Sequence, residues 1–316
     1  MQPSRASSGV LSPEPAAPVA GGSASTVVGA AMAMSAAIMW GTNGVISRFL
    51  FEKGITPLTL VEARSIIAAL GMGALLLCVG RSKFRLHRRD LPLLLLFGLA
   101  LAVVTYAYFL SVQFLPVAVA VMIQYTGPTL IALYTALTLR RMPPARIWAA
   151  LGLTLGGIAL LAGLADLLGG SSARGVTLLG VLIAFASAVI MAFYMLVGER
   201  LGKRLQPQTS VFYGFTMAAL LWLILQPPWR FQATALAPDA LPLVLAVGVV
   251  GTLIPFGIFL AAINRLDATR AAILATLEPV TAALISWVWL GEHLDAWQLA
   301  GGLLVLVGVT LVQLKR

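Results

Sequence analysis

Residues 91–113 have the sequence LPLLLLFGLALAVVTYAYFLSVQ, in which no side chain carries a charge. In an α-helix, which rises about 1.5 Å per residue, this run is long enough to cross a hydrocarbon core of about 30 Å. Unbroken apolarity favours helices over the strands of a membrane barrel, which alternate in polarity and need only about ten residues.

Apolar stretches of this kind recur along the whole chain, and we number them as spans 1 to 10. They cover 27–49, 57–79, 91–113, 116–138, 146–165, 175–197, 208–226, 241–263, 269–290 and 297–314. The sequence therefore predicts an all-α, polytopic membrane protein with ten transmembrane helices.

The composition is that of a protein whose solvent is lipid. Of the 316 residues, 60% are apolar and 10% are charged, and the mean hydropathy is +0.97. The net charge of +10 comes from basic residues in the gaps between apolar runs, which is typical of membrane topology signals and argues against nucleic acid as a partner. Cys78 is the single cysteine, so an intramolecular disulfide and a thiolate metal cluster are excluded.

The start of the chain differs in composition from the rest. Residues 1–25 are rich in Pro, Ala, Gly and Ser, and we expect a disordered tail over 1–26. A secretory leader has a basic start and a short apolar stretch, whereas the first apolar run of this chain begins late and has 23 residues. We therefore expect that run to stay in the membrane as span 1.

The second half of the chain repeats the first at a constant spacing. A shift of 151 residues, without a gap, lays spans 1 to 5 on spans 6 to 10. The coinciding pairs include Gly29 with Gly180, Leu115 with Leu266, Pro128 with Pro279, and Gly157 with Gly308. Because each half has five spans, an odd number, the second half enters the membrane from the opposite side. The sequence thus predicts two inverted repeats, 27–165 and 175–314, an architecture that gives secondary transporters their outward and inward states.

Three prolines lie in the interior of predicted spans, away from the first turn of the helix. Pro128 and Pro279 occupy equivalent positions near the middle of spans 4 and 9, where each removes a backbone donor and frees a carbonyl. Interrupted helices at matching positions of two halves indicate a substrate site, so we expect both to act in gating beside it; the alternative is a harmless kink. Pro255 in span 8 has no proline counterpart, and with Gly257 it forms either a hinge or a simple bend.

Glu278 is the most informative side chain. It is the tenth residue of the 22-residue span 9, near the bilayer centre, where an acidic group costs roughly 2.5 to 3.5 kcal/mol on insertion scales. Small residues, Ala271, Ala275 and Ala282, share its helix face, which suits a cavity wall or close packing rather than lipid. We expect Glu278 to contact a substrate amine or to carry a proton; the alternative is a protonated structural glutamate.

Polar and aromatic side chains mark a predicted path between the halves. One face of span 1 carries Ala36, Trp40, Asn43 and Ser47. The equivalent residues of span 6 are, in the same order, Ser187, Met191, Tyr194 and Gly198. The candidate substrate contacts are Trp40, Asn43, Tyr106, Gln124, Tyr125, Tyr194 and Glu278. The alternative for each is helix packing, since polar residues also join membrane helices.

The remaining charged and polar residues do not indicate a catalytic or metal-binding site. Glu62 and Arg64 lie in the outer part of span 2 on different helix faces, and we expect the arginine stem to snorkel outward as a structural anchor. The histidines, His87 and His293, are in loops, and the motifs of zinc proteases, serine hydrolases and phosphate-binding loops are absent from the sequence. We expect no catalytic residue, cofactor or metal site, and transport driven by gradients rather than by ATP.

Several short motifs carry a family resemblance. They are W-G-T-N at 40–43, P-L-T-L-x-x-x-R at 57–64, T-G-P at 126–128, L-E-P-V at 277–280, G-E at 291–292 and G-x-x-L-x-x-x-G-V-x-L at 301–311. In these motifs the chain resembles the EamA family, within the drug/metabolite transporter superfamily, over nearly everything after residue 26. The resemblance implies ten helices, both termini inside and a central cavity between the halves. The first half departs from the pattern, with Arg140 and Arg141 where the second half has Gly291 and Glu292.

The residues and the resemblance together predict a secondary transporter of the cytoplasmic membrane that exports small metabolites, such as amino acids, by alternating access. Its expected partners are a small-molecule substrate, the lipid bilayer and, for coupling, protons. A drug or nucleotide-sugar carrier is the alternative within transport, and a polytopic membrane enzyme or assembly subunit is the alternative outside it. The substrate, the direction, the coupling ion and the oligomeric state, a homodimer included, stay open at this point.

The distribution of basic residues gives a testable orientation. With the N-terminus inside, sixteen of the 21 Lys and Arg residues lie in cytoplasmic segments, four lie in outside segments, and Arg64 lies within a span. Cytoplasmic loops carry such an excess of basic residues. We therefore predict both termini inside and the loops near 53, 170, 232 and 293 outside, as measured by reporter fusions at each site. A C-terminal fusion that is active only on the outside would contradict this topology.

Overall fold

The computed structural model describes residues 23–80, 86–138, 145–162, 176–263, 265–266 and 268–313. In those residues the regular structure is helical and contains no strand. The helices confirm the predicted all-α fold with ten membrane-crossing segments; eight of these are long and apolar, and the helices of spans 5 and 10 are shorter.

Seven spans are continuous helices. They are span 1 Ser23–Glu52, span 2 Pro57–Val79, span 3 Leu91–Val112, span 5 Ala145–Ala162, span 6 Leu178–Gly202, span 7 Pro207–Leu225 and span 10 Ala296–Gln313. The first helix begins four residues before the predicted span, and Ser23 to Thr26 continue it. Once a helix is nucleated, each added residue gains a hydrogen bond, and these small residues do not stop it. Residues 1–22 of the predicted tail lie outside the described residues.

Local chemistry sets the helix starts. The Thr56 hydroxyl accepts a hydrogen bond from the backbone N–H of Thr59, at 3.3 Å, just before Pro57 opens span 2. In the second half, the Thr177 hydroxyl accepts one from the N–H of Gly180, at 3.0 Å, at the start of span 6. Both side chains satisfy a donor that the first turn of a helix leaves free.

Three spans are divided at or before a proline. Span 4 consists of Val117–Gln124 and Gly127–Thr138, span 9 of Ala268–Ala275 and Leu277–Leu290, and span 8 of Leu241–Gly248 and Ile254–Ile263 joined by a π-helical segment, Val249–Leu253. A proline has no N–H to donate and its ring clashes with the preceding turn, so a regular helix does not continue through it. The breaks of spans 4 and 9 fall at equivalent places in the two repeats.

The two halves contact each other through reciprocal pairs of residues. A Cβ atom on Gly29 would lie 2.9 Å from the Leu266 side chain, and one on Gly180 would lie 2.8 Å from the Leu115 side chain. The shift of 151 residues converts the first contact into the second. A pair of contacts related in this way is what a two-fold axis between inverted repeats produces.

Spans 5 and 10 also pack against each other through a reciprocal pair of contacts related by the shift of 151 residues. A Cβ atom on Gly157 would lie 2.7 Å from the Val305 side chain, and one on Gly308 would lie 2.8 Å from the Thr154 side chain. Small residues allow such close approach, which supplies van der Waals contact where lipid offers no hydrophobic driving force. Large apolar side chains such as Leu70 and Ile224, which are 70% and 75% exposed, face outward, where lipid solvates them.

The loops at one end of the bundle are tied together. The Lys53 ammonium donates to the Asp239 carboxylate at 2.5 Å, and the Thr56 N–H donates to the Gln232 side chain at 2.7 Å. The hydrogen bond from Lys53 holds the pKa of the exposed Asp239 carboxyl below its usual value. These contacts join the loop after span 1 to the loop after span 7.

The contact between spans 5 and 10 can be tested by one methyl group. In Gly157→Ala the new Cβ would lie 2.6 Å from the Gly301 carbonyl oxygen, whereas a Cβ at the neighbouring Gly156 meets nothing within 4 Å. Both changes gain helix propensity, but only the first overpacks an interface, at a cost of about 1–3 kcal/mol. We expect thermal unfolding of the purified protein to shift downward for Gly157→Ala relative to Gly156→Ala. Equal unfolding temperatures would contradict the close approach of these two helices.

Candidate functional site

The centre of the site is a hydroxyl group that donates a hydrogen bond to the free backbone carbonyl at the break in span 9. Pro279 has no N–H, so the carbonyl four residues before it, on Ala275, lacks its helical donor. The Tyr125 hydroxyl lies 2.8 Å from that carbonyl oxygen and 2.9 Å from the Glu278 carboxyl. Tyr125 itself lies in the break of span 4. The structure therefore brings together the interruptions of both halves and the mid-membrane acid.

The hydrogen-bond pattern of this cluster depends on the charge of Glu278. A tyrosine hydroxyl has one hydrogen and can donate to one acceptor at a time. If Glu278 is protonated, it donates to Tyr125, and Tyr125 donates to the Ala275 carbonyl. If Glu278 is ionised, Tyr125 donates to the carboxylate, and the carbonyl loses its donor. Both Tyr125 and Glu278 are half-buried, so the cluster is partly open to the interior of the protein.

Arg64 supplies the opposite charge. Its side chain is buried, its Nε donates to the Thr252 hydroxyl at 3.1 Å, and its guanidinium lies 5.2 Å from the centre of the Phe109 ring. The Tyr108 hydroxyl and the Glu278 carboxyl are close enough to act electrostatically on its charge. The sequence predicts that this stem snorkels outward, but the guanidinium is turned inward because Thr252, in the π-helical segment of span 8, and Phe109 provide partners there.

Span 1 forms one wall beside this cluster. The Trp40 ring packs edge-on against Phe256 and Phe259 of span 8, with centroids 5.5 and 5.1 Å away. Asn43 is buried against Gly251, and its Oδ1 has no hydrogen-bond partner among the described residues. A buried amide oxygen without a donor is unfavourable, and a polar ligand would satisfy it.

The corresponding wall, formed by span 6 of the second half and span 4 of the first, is built differently. The Gln124 side chain donates to the Ser187 hydroxyl of span 6 at 2.6 Å, and that hydroxyl donates to the Val104 carbonyl at 3.2 Å. Gly127 occupies the position equivalent to Glu278, and a Cβ there would lie 3.3 Å from the Ala188 carbonyl oxygen. This wall therefore carries an amide and a hydroxyl but no charge.

Two of the candidate contact residues, Tyr106 and Tyr194, pack against aromatic side chains outside the Tyr125–Glu278 cluster. Tyr106 lies tilted against Trp222, with ring centroids 5.6 Å apart, and Tyr194 stacks on Phe97 at 4.7 Å. Tyr194 packs with Leu94, Phe97 and Leu201, towards the start of span 3 and the end of span 6. Substrate contact by either tyrosine stays a prediction.

Glu292 is a residue whose role the sequence motif did not reveal. It follows Gly291, which ends span 9 in the left-handed conformation with φ 66°, and its carboxylate accepts a hydrogen bond from the Val117 N–H at 3.1 Å. Burial raises the pKa of Glu292, while that hydrogen bond and the charge of Arg48 act in the opposite direction. A carboxylate at a helix N-terminus is stabilising, so the loop after span 9 holds the start of the divided span 4. The first half has no equivalent acid.

The model of the EamA-like transporter family matches residues 27–163 and again 178–314. The chain belongs to the EamA-like transporter family. As a member of that family it is a multi-pass membrane transporter, and the predicted resemblance is confirmed.

Relatives and a solved structure agree with the family. A threonine/homoserine exporter, RhtA, of Salmonella typhimurium strain SL1344 is 32% identical over 257 residues, with 78% of this chain and 80% of the relative covered. The same-named protein of Escherichia coli K12 is 32% identical over 253 residues with the same coverage, and the uncharacterized transporter YwfM of Bacillus subtilis is 27% identical over 281 residues, covering 88% of this chain and 90% of the relative. A crystal structure matches with a TM-score of 0.58 at 23% identity, over 92% of this chain and 96% of that one, which shows a shared fold.

The prolines at the two breaks give a prediction for this family member. In Pro279→Ala the restored N–H would compete with Tyr125 for the Ala275 carbonyl, and in Pro128→Ala the helix of span 4 would extend through its break. We expect both variants to insert normally and to lose most of their transport rate, measured as solute flux into proteoliposomes.

The matched control is Pro207→Ala, because Pro207 opens span 7 at its first turn, where its missing N–H has no helical acceptor. We expect this variant to transport as the parent does. Unchanged flux in both Pro128→Ala and Pro279→Ala would assign the breaks to harmless kinks.

Proposed function

We propose that this EamA-family transporter exports small amino acids across the cytoplasmic membrane by alternating access, with both termini in the cytoplasm. The excess of basic residues in alternate loops supports the orientation. Relatives named threonine/homoserine exporters, at 32% identity, support the direction and the substrate class. Threonine and homoserine are therefore the first substrates to test.

The observation that carries the substrate class is the pair of opposite charges between the halves. The buried Arg64 guanidinium, in span 2 of the first half, and the half-buried Glu278 carboxyl, in span 9 of the second, both lie at membrane depth. A neutral amino acid is a zwitterion, so its carboxylate and ammonium would each meet an opposite charge there. Isolated charges are unfavourable in a low-dielectric interior, and a zwitterion neutralises both at once.

The neighbouring side chains fit the remainder of such a substrate. The Asn43 Oδ1 is an acceptor without a donor among the described residues, and the Gln124 amide and the Ser187 hydroxyl form a hydrogen-bonded pair between spans 4 and 6. Hydroxylated side chains need donors and acceptors of this kind. The Trp40 ring, half-buried on span 1, would close the apolar side of the pocket.

The inverted repeats provide the two states that export requires. Spans 1 and 6 are equivalent, and each packs beside the divided span of the opposite half: Gly41 of span 1 lies against the Glu278 backbone, and Ala188 of span 6 lies against Gly127. Exchange of these two local arrangements would open the centre to one side and then to the other. In this mechanism the breaks at Pro128, Pro279 and Pro255 serve as the points where the helices bend.

Coupling to protons is proposed through the Tyr125–Glu278 cluster. A proton that enters from the outside would neutralise Glu278 and let Tyr125 donate to the Ala275 carbonyl. The free carbonyl at the break of span 9 would then have a donor. Release of that proton to the cytoplasm would leave a carboxylate that binds the ammonium of the next substrate. One proton would thus move inward for each amino acid that moves outward.

The variant that separates coupling from binding is Glu278→Gln. Its amide has the size of the protonated acid and can donate to Tyr125 in the same way, but it cannot ionise. In proteoliposomes we expect counterflow of threonine or homoserine to persist with a weaker apparent affinity, because the amide oxygen still accepts a hydrogen bond from the ammonium but carries no charge. Accumulation driven by a pH gradient should fall to background at every substrate concentration. The measurement is uptake of labelled substrate with and without the gradient.

A matched control is Glu52→Gln, which removes an exposed acid that pairs with Arg48 at 3.1 Å. We expect this variant to accumulate substrate as the parent does. Gradient-driven accumulation by Glu278→Gln at the level of the parent would rule out the proton role. Absence of amino-acid flux for the parent protein in both assays would contradict the substrate class.

A further inference from the structure

We propose that a cleft between spans 3 and 6, at the end predicted to face the cytoplasm, binds the headgroup of an anionic phospholipid. This cleft has a volume of about 530 Å³ and lies at the start of span 3 and the end of span 6, away from the Tyr125–Glu278 cluster. Four basic side chains line it: Arg89, Arg200, Lys203 and Arg204.

The basic residues of the cleft are only partly neutralised. Arg204 pairs with Asp90 at 3.3 Å and Lys203 pairs with Glu199 at 3.1 Å. Within the described part of the chain, Arg89 and Arg200 form no ion pair. Two guanidinium groups are therefore free to bind a phosphate, and arginine binds phosphate oxygens in a bidentate manner.

The rest of the cleft is apolar and faces the bilayer. Leu93 and Leu96, on the first turns of span 3, complete its wall, and Leu96 is 39% exposed. Their neighbours Leu91 and Leu95 are also exposed, at 45% and 49%. A membrane-crossing helix that begins with exposed leucines places them at the outer edge of the hydrocarbon. The cleft thus has a cationic rim next to an apolar wall, in the order in which a phospholipid presents its phosphate and its acyl chains.

This order favours a lipid over a soluble phosphate. A free phosphate or nucleotide would pair with the arginines but would leave the leucine wall in contact with water. An anionic phospholipid satisfies both parts, and the cytoplasmic leaflet supplies such lipids next to basic residues at helix ends. A zwitterionic lipid carries an ammonium group that is disfavoured by Arg89 and Arg200, the two arginines of the cleft without an ion pair among the described residues.

The binding is measured by native mass spectrometry of the full-length protein, titrated with cardiolipin, phosphatidylglycerol or phosphatidylcholine. We expect cardiolipin and phosphatidylglycerol to be retained at lower concentration than phosphatidylcholine. Each basic residue near a membrane surface contributes about 1 kcal/mol of attraction to anionic lipid, so the double variant Arg89→Ala/Arg200→Ala should bind them roughly 30-fold more weakly.

The matched control removes two other arginines, Arg230→Ala/Arg265→Ala, which lie outside the cleft. We expect it to retain the parent affinity. The proposal is overturned if phosphatidylcholine binds as well as the anionic lipids, or if the Arg89→Ala/Arg200→Ala variant binds like the parent. It is also overturned if inorganic phosphate at millimolar concentration displaces the lipid, because the site then belongs to a soluble anion.

Discussion

A backbone carbonyl without a donor is unfavourable by several kcal/mol in a hydrocarbon environment, and this constraint organises the middle of the molecule. Pro279 creates such a carbonyl on Ala275, and the Tyr125 hydroxyl, from the other half of the chain, donates a hydrogen bond to it. Tyr125 itself belongs to the break of span 4, so each interruption lies beside the other. Glu278 enters the same hydrogen-bonded group. The divided helices, the contact between the halves and the charged centre therefore depend on one another.

Much of the fold is encoded in patterns that can be read along the chain. Apolar runs of membrane length predict the spans, the shift of 151 residues predicts the inverted repeats, and Pro128 and Pro279 mark the breaks. Partners across the halves are not encoded in this way: Tyr125 and Glu278 are 153 residues apart, and only three-dimensional packing makes them neighbours. The inward turn of Arg64 likewise depends on Thr252, which no spacing in the sequence connects to it.

The two halves share a fold but not a chemistry. At the position of Glu278 the first half has Gly127, and a Cβ there would meet the Ala188 carbonyl at 3.3 Å and the Met191 side chain at 3.4 Å. A side chain at Gly127 would therefore be tightly packed, whereas that of Glu278 extends to the Tyr125 hydroxyl. Symmetry therefore supplies the scaffold, and the departures from symmetry supply the charges. The loop acid Glu292, which holds the start of span 4 and has no counterpart after span 4, follows the same rule.

The reciprocal glycine contacts also bear on how such a molecule is made. Gly29 and Gly180 each fit a leucine from the opposite repeat, so each half is complementary to an upside-down copy of its own design. Two separate five-span chains would have to be inserted in both orientations and in equal amounts to form these contacts. A single polypeptide with an odd number of spans in its first half meets both requirements during translation. Each translated chain therefore contains one repeat in each orientation, and every repeat has a partner to pack against.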